Sequence, residues 1–262
     1  MSVNFATDKV NVRVNGRVAT IEMNRPEALN ALDVDMLRGL VCNLKKISDS
    51  DDIDIIVLTG SGRAFSSGGD IKTMLSNMNE NDFFPVMDII SELVVTLYSI
   101  PKLTISAVNG AAAGLGLSLA LATDHIIADK KSKLAMNFIG IGLIPDGGAH
   151  FFLDKRVGEL KAMHIIWEGK MMDAQEALEL NLIQEVADDL QTTVDDRVLD
   201  WLSRPVQAMI KTKKILADMN RPQLLKILEL EKHGQFNMRK TLDHQEGIKA
   251  FIEKRQPKFI GK

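Results

Sequence analysis

The stretch Pro101–Asp124, PKLTISAVNGAAAGLGLSLALATD, constrains the fold more than any other part of the chain. Leu103–Val108 reads as a buried strand, Asn109–Gly114 as a loop of small residues, and Leu115 as the start of a buried helix. Glycine and alanine keep side chains away from such a loop, so a ligand can approach the backbone closely. The helix that follows points unpaired N–H groups, and the positive end of its dipole, toward the loop. An oxygen gaining negative charge would be stabilised there. Tight packing of strand on helix explains the same residues equally well.

A second copy of the pattern lies upstream. Ile53–Leu58 is an apolar run interrupted only by Asp54, typical of a strand buried on both faces. Gly60-Ser61-Gly62-Arg63-Ala64-Phe65-Ser66-Ser67-Gly68-Gly69-Asp70-Ile71-Lys72 follows it. Before this, Val10–Val14 and Val18–Met23 alternate around Asn15-Gly16, which predicts a β-hairpin with a type I′ turn. Asp33 is placed to cap a helix carrying Leu37, Leu40, Val41, Leu44 and Ile47 at helical spacing. A helix over Phe83–Ser99 separates the two glycine loops, with Val86, Ile90, Leu93, Val94 and Leu97 as its core stripe.

Beyond the opening stretch, Ile126–Ala128 and Leu134–Phe138 are expected as short strands. An apolar loop, Ile139–Pro145, then leads to Asp146-Gly147-Gly148 and another helix. Asp173 caps Ala174–Leu180, and Leu182–Val186 is the last strand. From about Thr192 only helices are expected, divided by Pro205 and Pro222 and ending near Lys254. The fold class is therefore α/β over residues 1–190, with a helical region over 191–262. Ile210, Leu216, Leu224, Leu225, Ile227 and Leu228 require that this region pack on the core or on another subunit.

Composition narrows the function. A net charge of −3 across 262 residues offers no basic surface for nucleic acid. The one cysteine, Cys42, cannot form an internal disulfide, and a reducing, cytoplasmic compartment is expected. The N-terminal MSVNFATDKV lacks the pattern of a secretory leader. The apolar stretch around 111–123 is too short to span a bilayer. No His/Cys/Asp spacing suggests a metal site, and Lys211–Lys214 reads as a solvated helix face.

Two strand–loop–helix units can bring two backbone N–H groups to one point, the geometry that holds a carbonyl oxygen as it becomes an enolate. The motifs then accumulate. Asn24-Arg25-Pro26 precedes Leu29-Asn30-Ala31-Leu32, and Ala64-Phe65-x-x-Gly68-x-Asp70-Ile71 follows. Ala107-Val108-Asn109-Gly110-x-Ala112-x-Gly114-x-Gly116 and Gly142-Leu143-Ile144-Pro145-Asp146-x-Gly148 come next, and the chain ends with Glu246-Gly247-Ile248-x-Ala250-Phe251-x-Glu253-Lys254. In this order, over essentially the whole chain, they resemble the enoyl-CoA hydratase/isomerase (crotonase) superfamily.

The resemblance implies a crotonase-like spiral of ββα units, a C-terminal helical region that mediates trimers often paired into hexamers, and acyl-coenzyme A thioesters as substrates. It implies an oxyanion hole built from the N–H groups of Gly69 and Leu115. Coenzyme A contacts map to Ala28 and Leu29, to Ser67, Asp70, Ile71 and Lys72, and to Phe251 and Lys254 in the tail. Lys72 is equally what a solvated helix start carries. Glu27 stands where some members have a phosphate-binding lysine. No cofactor beyond the substrate's coenzyme A moiety is implied.

Departures from the pattern select the reaction. The two glutamates with which hydratases split water fall at Ser118 and Phe138, neither of which is a base. Such groups contribute about 10²–10⁴ each. Asp146 matches the acidic position of the family's double-bond isomerases, with Phe138, Leu143 and Ile144 nearby to desolvate it. The same aspartate could instead cap the helix after it. An isomerase using Asp146, with Ser118, Phe138 and Leu143 lining the pocket, is thus the leading expectation; hydration and a non-catalytic acyl-CoA scaffold are the alternatives. Gly116-Leu117-Ser118-Leu119-Ala120 imitates a serine nucleophile elbow with His150 or His164 as base, but Ser118 lies past the sharp turn that motif needs. Gly114-x-Gly116 lacks the third glycine of a dinucleotide loop.

Overall fold

The computed structural model describes residues 7–70 and 80–262. Strands β1 (Val10–Asn15) and β2 (Val18–Met23) form the expected hairpin. Its two-residue turn is Gly16-Arg17, and only Gly16 (φ 55°) has positive φ. That is the type II′ pattern, with glycine first, and not the type I′ turn centred on Asn15-Gly16.

Helix α1 (Val34–Ser48) begins where Asp33 accepts a hydrogen bond from the Met36 N–H, so the predicted cap is present. It buries Leu37, Leu40, Leu44 and Ile47. Next come β3 (Ile55–Gly60), β4 (Ala64–Ser66) and α2 (Glu80–Ser99). The unit then repeats as β5 (Leu103–Val108), β6 (Ala111–Ala113) and α3 (Leu115–Leu121), and the strand pair recurs as β7 (His125–Asp129) and β8 (Lys133–Ala135).

In each unit the first strand joins one sheet and the second joins another. The large sheet runs β1-β2-β3-β5-β7-β10 and the small one β4-β6-β8-β9, where β9 is Met171–Asp173 and β10 is Glu185–Ala187. Each turn of the chain thus climbs one step in both sheets, a spiral of ββα units. Strand β6 falls inside the segment read from sequence as a loop. Its three alanines have low intrinsic strand preference. Pairing with β4 and β8 on either side makes it a strand.

The large sheet is buried on both faces. Ile56 and Leu58 of β3 join the core built with α1, α2 and α3. Ile55 and Val57, pointing the other way, join a second core closed by the tail. That tail begins with α7 (Leu190–Leu202), which contributes Val194, and α8 (Val206–Met238), which contributes Val206 and Ile210. Lys213, expected on a solvated face, is largely buried and paired with Asp124 at 2.8 Å.

At 33 residues, α8 spans about 50 Å. It continues through Pro222, where a break was expected. The ring removes one helical hydrogen bond, but Ala217 before it and Leu224 and Leu228 after it are all buried, so packing holds both halves in line. After residues 137–141, a 3-10 turn and not the end of a strand, the chain forms α4 (Ala149–Val157), α5 (Glu159–Glu168) and α6 (Ala174–Glu179). Asp173 caps α6 with Glu176 in a reciprocal capping box. The last helix, α9 (Leu242–Glu253), packs against the 3-10 turn. No helix among the described residues is long and apolar enough to cross a membrane.

Candidate active site

A cavity of about 290 Å³ opens between the two glycine loops, α2, the 3-10 turn and the far end of α8. Its first wall, reached at Leu32, is backed by residues 28–31. Leu29 and Asn30 both have positive φ, an unfavourable conformation for side-chain-bearing residues. Asn30 compensates: it is fully buried, its amide donates to the carbonyls of Ser61 and Ala64, and its oxygen accepts from the Arg25 N–H. The Leu29-Asn30 motif is thus a clamp joining the first loop to β4.

Leu32 then pairs with Gly69 as an isolated parallel bridge. The Leu32 N–H donates to the Gly68 carbonyl, and the Leu32 carbonyl accepts from the Asp70 N–H. In such a bridge the middle residue's own N–H points away from its partner. Among the described residues nothing accepts from the Gly69 N–H, and Gly69 lines the cavity.

The second loop ends at Gly114 (φ 52°), whose N–H donates to Ala135 of β8. Leu115 is the first residue of α3, so its N–H has no intrahelical acceptor. Two close approaches bring the loops together. A Cβ on Gly116 would lie 2.6 Å from the Ser66 carbonyl oxygen, so α3 must sit directly on β4. A Cβ on Gly68 would lie 3.4 Å from the Leu115 nitrogen. Gly68, Gly69, Gly114 and Leu115 share one cavity wall.

On the same cavity lies Asp146, buried in the loop before α4. It is not the cap of α4: Gly148 holds that position, and no side chain caps it. Among the described residues Oδ1 has no hydrogen-bond partner, and Oδ2 has only the Gln235 amide at 3.4 Å. Burial, and then the nearby Glu231 carboxylate, push the Asp146 carboxyl up to about 8. Leu143 and Phe138 line the cavity beside it, with Val86, Met87 and Ile90 of α2. The arrangement can hold an oxygen anion on backbone donors while one carboxyl exchanges a proton in an apolar space.

Of the other residues singled out from sequence, Ser67, Asp70 and Phe251 line the cavity. Asp70 accepts from both Arg25 guanidinium nitrogens at 3.1 Å. Ala28 and Leu29 lie just behind the wall, where their carbonyls accept from Ser67. Lys254 is exposed at the end of α9 and outside the cavity. Ile71 and Lys72 lie outside the described residues. Ser118 was expected to line the pocket; it is instead fully buried behind it, its hydroxyl donating to the Asp146 carbonyl at 2.8 Å. His150 is paired with Glu231, so no serine–histidine pair exists there.

Sequence reasoning missed Glu231, Gln235 and Arg239. Glu231 and Gln235 lie in the final third of α8 and Arg239 caps its C-terminal end; Gln235 and Arg239 line the cavity. A signal was available. Leu224 and Leu228 define the buried face of the helix, and residues 231 and 235 continue it with polar side chains. Among the described residues no group of three or more His, Cys, Asp or Glu could hold a metal ion.

Residues 13–262 match a family model described as enoyl-CoA hydratase/isomerase. The chain is 47% identical over 246 residues to YhaR of Bacillus subtilis (strain 168), which bears an enoyl-CoA hydratase/isomerase name; 94% of this chain and 96% of that one are covered. It is 34% identical over 254 residues to the 1,2-epoxyphenylacetyl-CoA isomerase of Escherichia coli (strain K12), covering 94% and 95%. The crystal structure of an enoyl-CoA hydratase from Mycobacterium avium subsp. paratuberculosis K-10 superimposes with a TM-score of 0.88 at 30% identity, over 97% of this chain and 100% of that one.

Proposed function

The chain belongs to the enoyl-CoA hydratase/isomerase family of crotonase-fold enzymes, and we propose that its reaction is movement of a double bond along an acyl chain held as a coenzyme A thioester. The observation that carries this is Asp146, among the described residues the only buried carboxyl on the cavity that Gly69 and Leu115 also line.

The steps follow from that geometry. The thioester oxygen accepts from Gly69 and Leu115. Asp146 as carboxylate takes a proton from the carbon alpha to the thioester of a 3-enoyl substrate. The C–H electrons pass into the conjugated dienolate, whose negative oxygen the two donors hold; each donor contributes about 3 kcal/mol. Asp146, now protonated, returns the proton to the gamma carbon, and the double bond rests between carbons 2 and 3. One acid suffices because the proton that leaves is the one that returns. A carboxyl pushed up toward neutrality suits both halves of the cycle.

The hydratase alternative needs a second base to split water. Ser118, at one of the two positions concerned, is buried with its hydroxyl committed to the Asp146 carbonyl. The coenzyme A moiety is assigned to the edge formed by Ala28, Leu29, Ser67 and Asp70, with Phe251 and Lys254 from the tail; the family resemblance adds Ile71 and Lys72, which lie outside the described residues. A cytoplasmic homotrimer, or a pair of trimers, belongs to the same proposal.

Asp146→Asn tests it. Turnover of 3-enoyl-CoA should fall by about 10²–10⁴, while acyl-CoA affinity stays near the native value. In the native enzyme kcat/KM should rise with pH toward about 8, as the carboxyl ionises. The assay panel should include 2-enoyl- and 2,5-dienoyl-CoA, and an epoxyphenylacetyl thioester, for which the Escherichia coli relative is named. Undiminished isomerisation by Asp146→Asn would remove the carboxyl from the mechanism.

A further inference from the structure

Asp146 sits on a loop, yet a carboxyl that must meet two different carbons in turn has to be held firmly. The hold comes from α8, some 85 residues further along. Glu231 is buried and accepts three hydrogen bonds: from the Gly148 N–H at 2.7 Å, the His150 N–H at 3.2 Å and His150 Nδ1 at 2.7 Å. All three donors lie two to four residues beyond Asp146. One turn along α8, the buried Gln235 donates through Nε2 to the Ile144 carbonyl, two residues before Asp146, and to Asp146 Oδ2 at 3.4 Å.

We propose that Glu231 and Gln235 are positioning residues for Asp146, supplied by the helical tail so that the acid is clasped on both sides from one helix face. Residues four apart on a helix lie on one face, so a single rigid element sets both ends of segment 144–150. A buried carboxylate is weak evidence for stability, since apolar residues of similar volume fill such sites at no cost. Three donors converge on the Glu231 carboxyl and fix it against the segment that carries Asp146. A negative charge there raises the Asp146 carboxyl and opposes a second anion. Among the described residues, the other titratable groups around Asp146 are His150, bound to Glu231 from α4, and Arg239, Asp33, Asp70 and Asp82 on the cavity wall. Asp33 and Asp70 are themselves paired with Arg25.

The inference rests on the isomerase assignment, and its test separates the two. Glu231→Gln keeps the shape and an acceptor but removes the charge; Gln235→Met keeps volume but removes the donor. Carbon-13 NMR titration of the Asp146 carboxyl, which needs no turnover, should show it ionising about one pH unit lower in Glu231→Gln. The limb of kcat/KM against pH for 3-enoyl-CoA should move by the same amount. Gln235→Met should lower kcat roughly 10–100-fold with KM kept, as expected for a misplaced acid. An unchanged Asp146 titration in Glu231→Gln, or losses confined to KM or to thermal stability, would overturn the positioning role. If Glu231→Gln does not fold, Gln235→Met decides alone, and native kcat in that variant overturns it. Absence of 3-enoyl-CoA isomerisation in the native protein would instead refute the isomerase assignment, leaving the titration result to stand by itself.

Discussion

Two segments deliver the chemistry of the cavity, and they are built by opposite means. Residues 109–116 present backbone N–H groups, and everything that aims them is near in sequence or in the adjoining strand. Gly114 takes positive φ, β6 pairs with its neighbours, and Gly116 lets α3 rest on β4. Residues 144–150 present a side chain instead, and burial works against its ionisation. Nothing local supports that carboxyl: it caps no helix, and among the described residues one of its oxygens has no partner. Its support comes from Glu231 and Gln235 on a distant helix. A backbone donor belongs to the fold itself; a buried acid must be provided for by tertiary neighbours.

The sharpest way to disturb the first segment is Gly68→Ala, in the neighbouring loop that packs against it. The new Cβ would meet the Ala113 carbonyl oxygen at 2.7 Å and the Leu115 nitrogen at 3.4 Å, at a residue with φ 95°. The loops must separate, and each displaced donor should cost about 10²–10³ in kcat. Steady-state kinetics on 3-enoyl-CoA check this, and near-native turnover would mean that the loops do not act together.

Stability should report the second segment. The Asp146 carboxyl is raised from 3.8 to about 8, so between those values the folded protein retains a proton that the unfolded chain releases. The group's contribution is full below about pH 4, declines as pH rises and levels off above about 8, at about 1 kcal/mol per unit. Asn carries no such dependence. Thermal melts from pH 5 to 9 should therefore show Asp146→Asn gaining on the native protein up to about pH 8, the inactive variant being the more stable one. Parallel curves would mean that burial does not perturb this carboxyl.

The smallest effect is expected at Ser118, which ties the two segments together through its bond to the Asp146 carbonyl. Ser118→Ala should cost about 1 kcal/mol in an unfolding titration. A serine-directed phosphonate should leave the native enzyme active, and labelling at Ser118 would revive a nucleophilic role.

Much of this was legible beforehand, for identifiable reasons. Asp33 and Asp173 announced helix starts because capping is local. Ile55–Leu58, within the run Ile53–Leu58, announced a strand buried on both faces because both of its alternating sets are apolar. Alanine alone does not signal a strand, so β6 became visible only through its partners. Pro222 signalled a break that packing on both sides overruled. Glu231 and Gln235 were hidden because a charge or an amide on a long helix reads as solvated until the helix is seen to end against Asp146.

The α/β units, the glycine loops and the family can be read from the residues alone, because these depend on residues close together and on motifs in a fixed order. It took the packed molecule to bring the Gly68–Gly69 and Gly114–Leu115 loops to one cavity, to put Ser118 behind it, and to carry the tail back to Asp146. Those outcomes depend on distances between elements far apart in the chain, set by how the two sheets and α8 pack and written in no single stretch of residues.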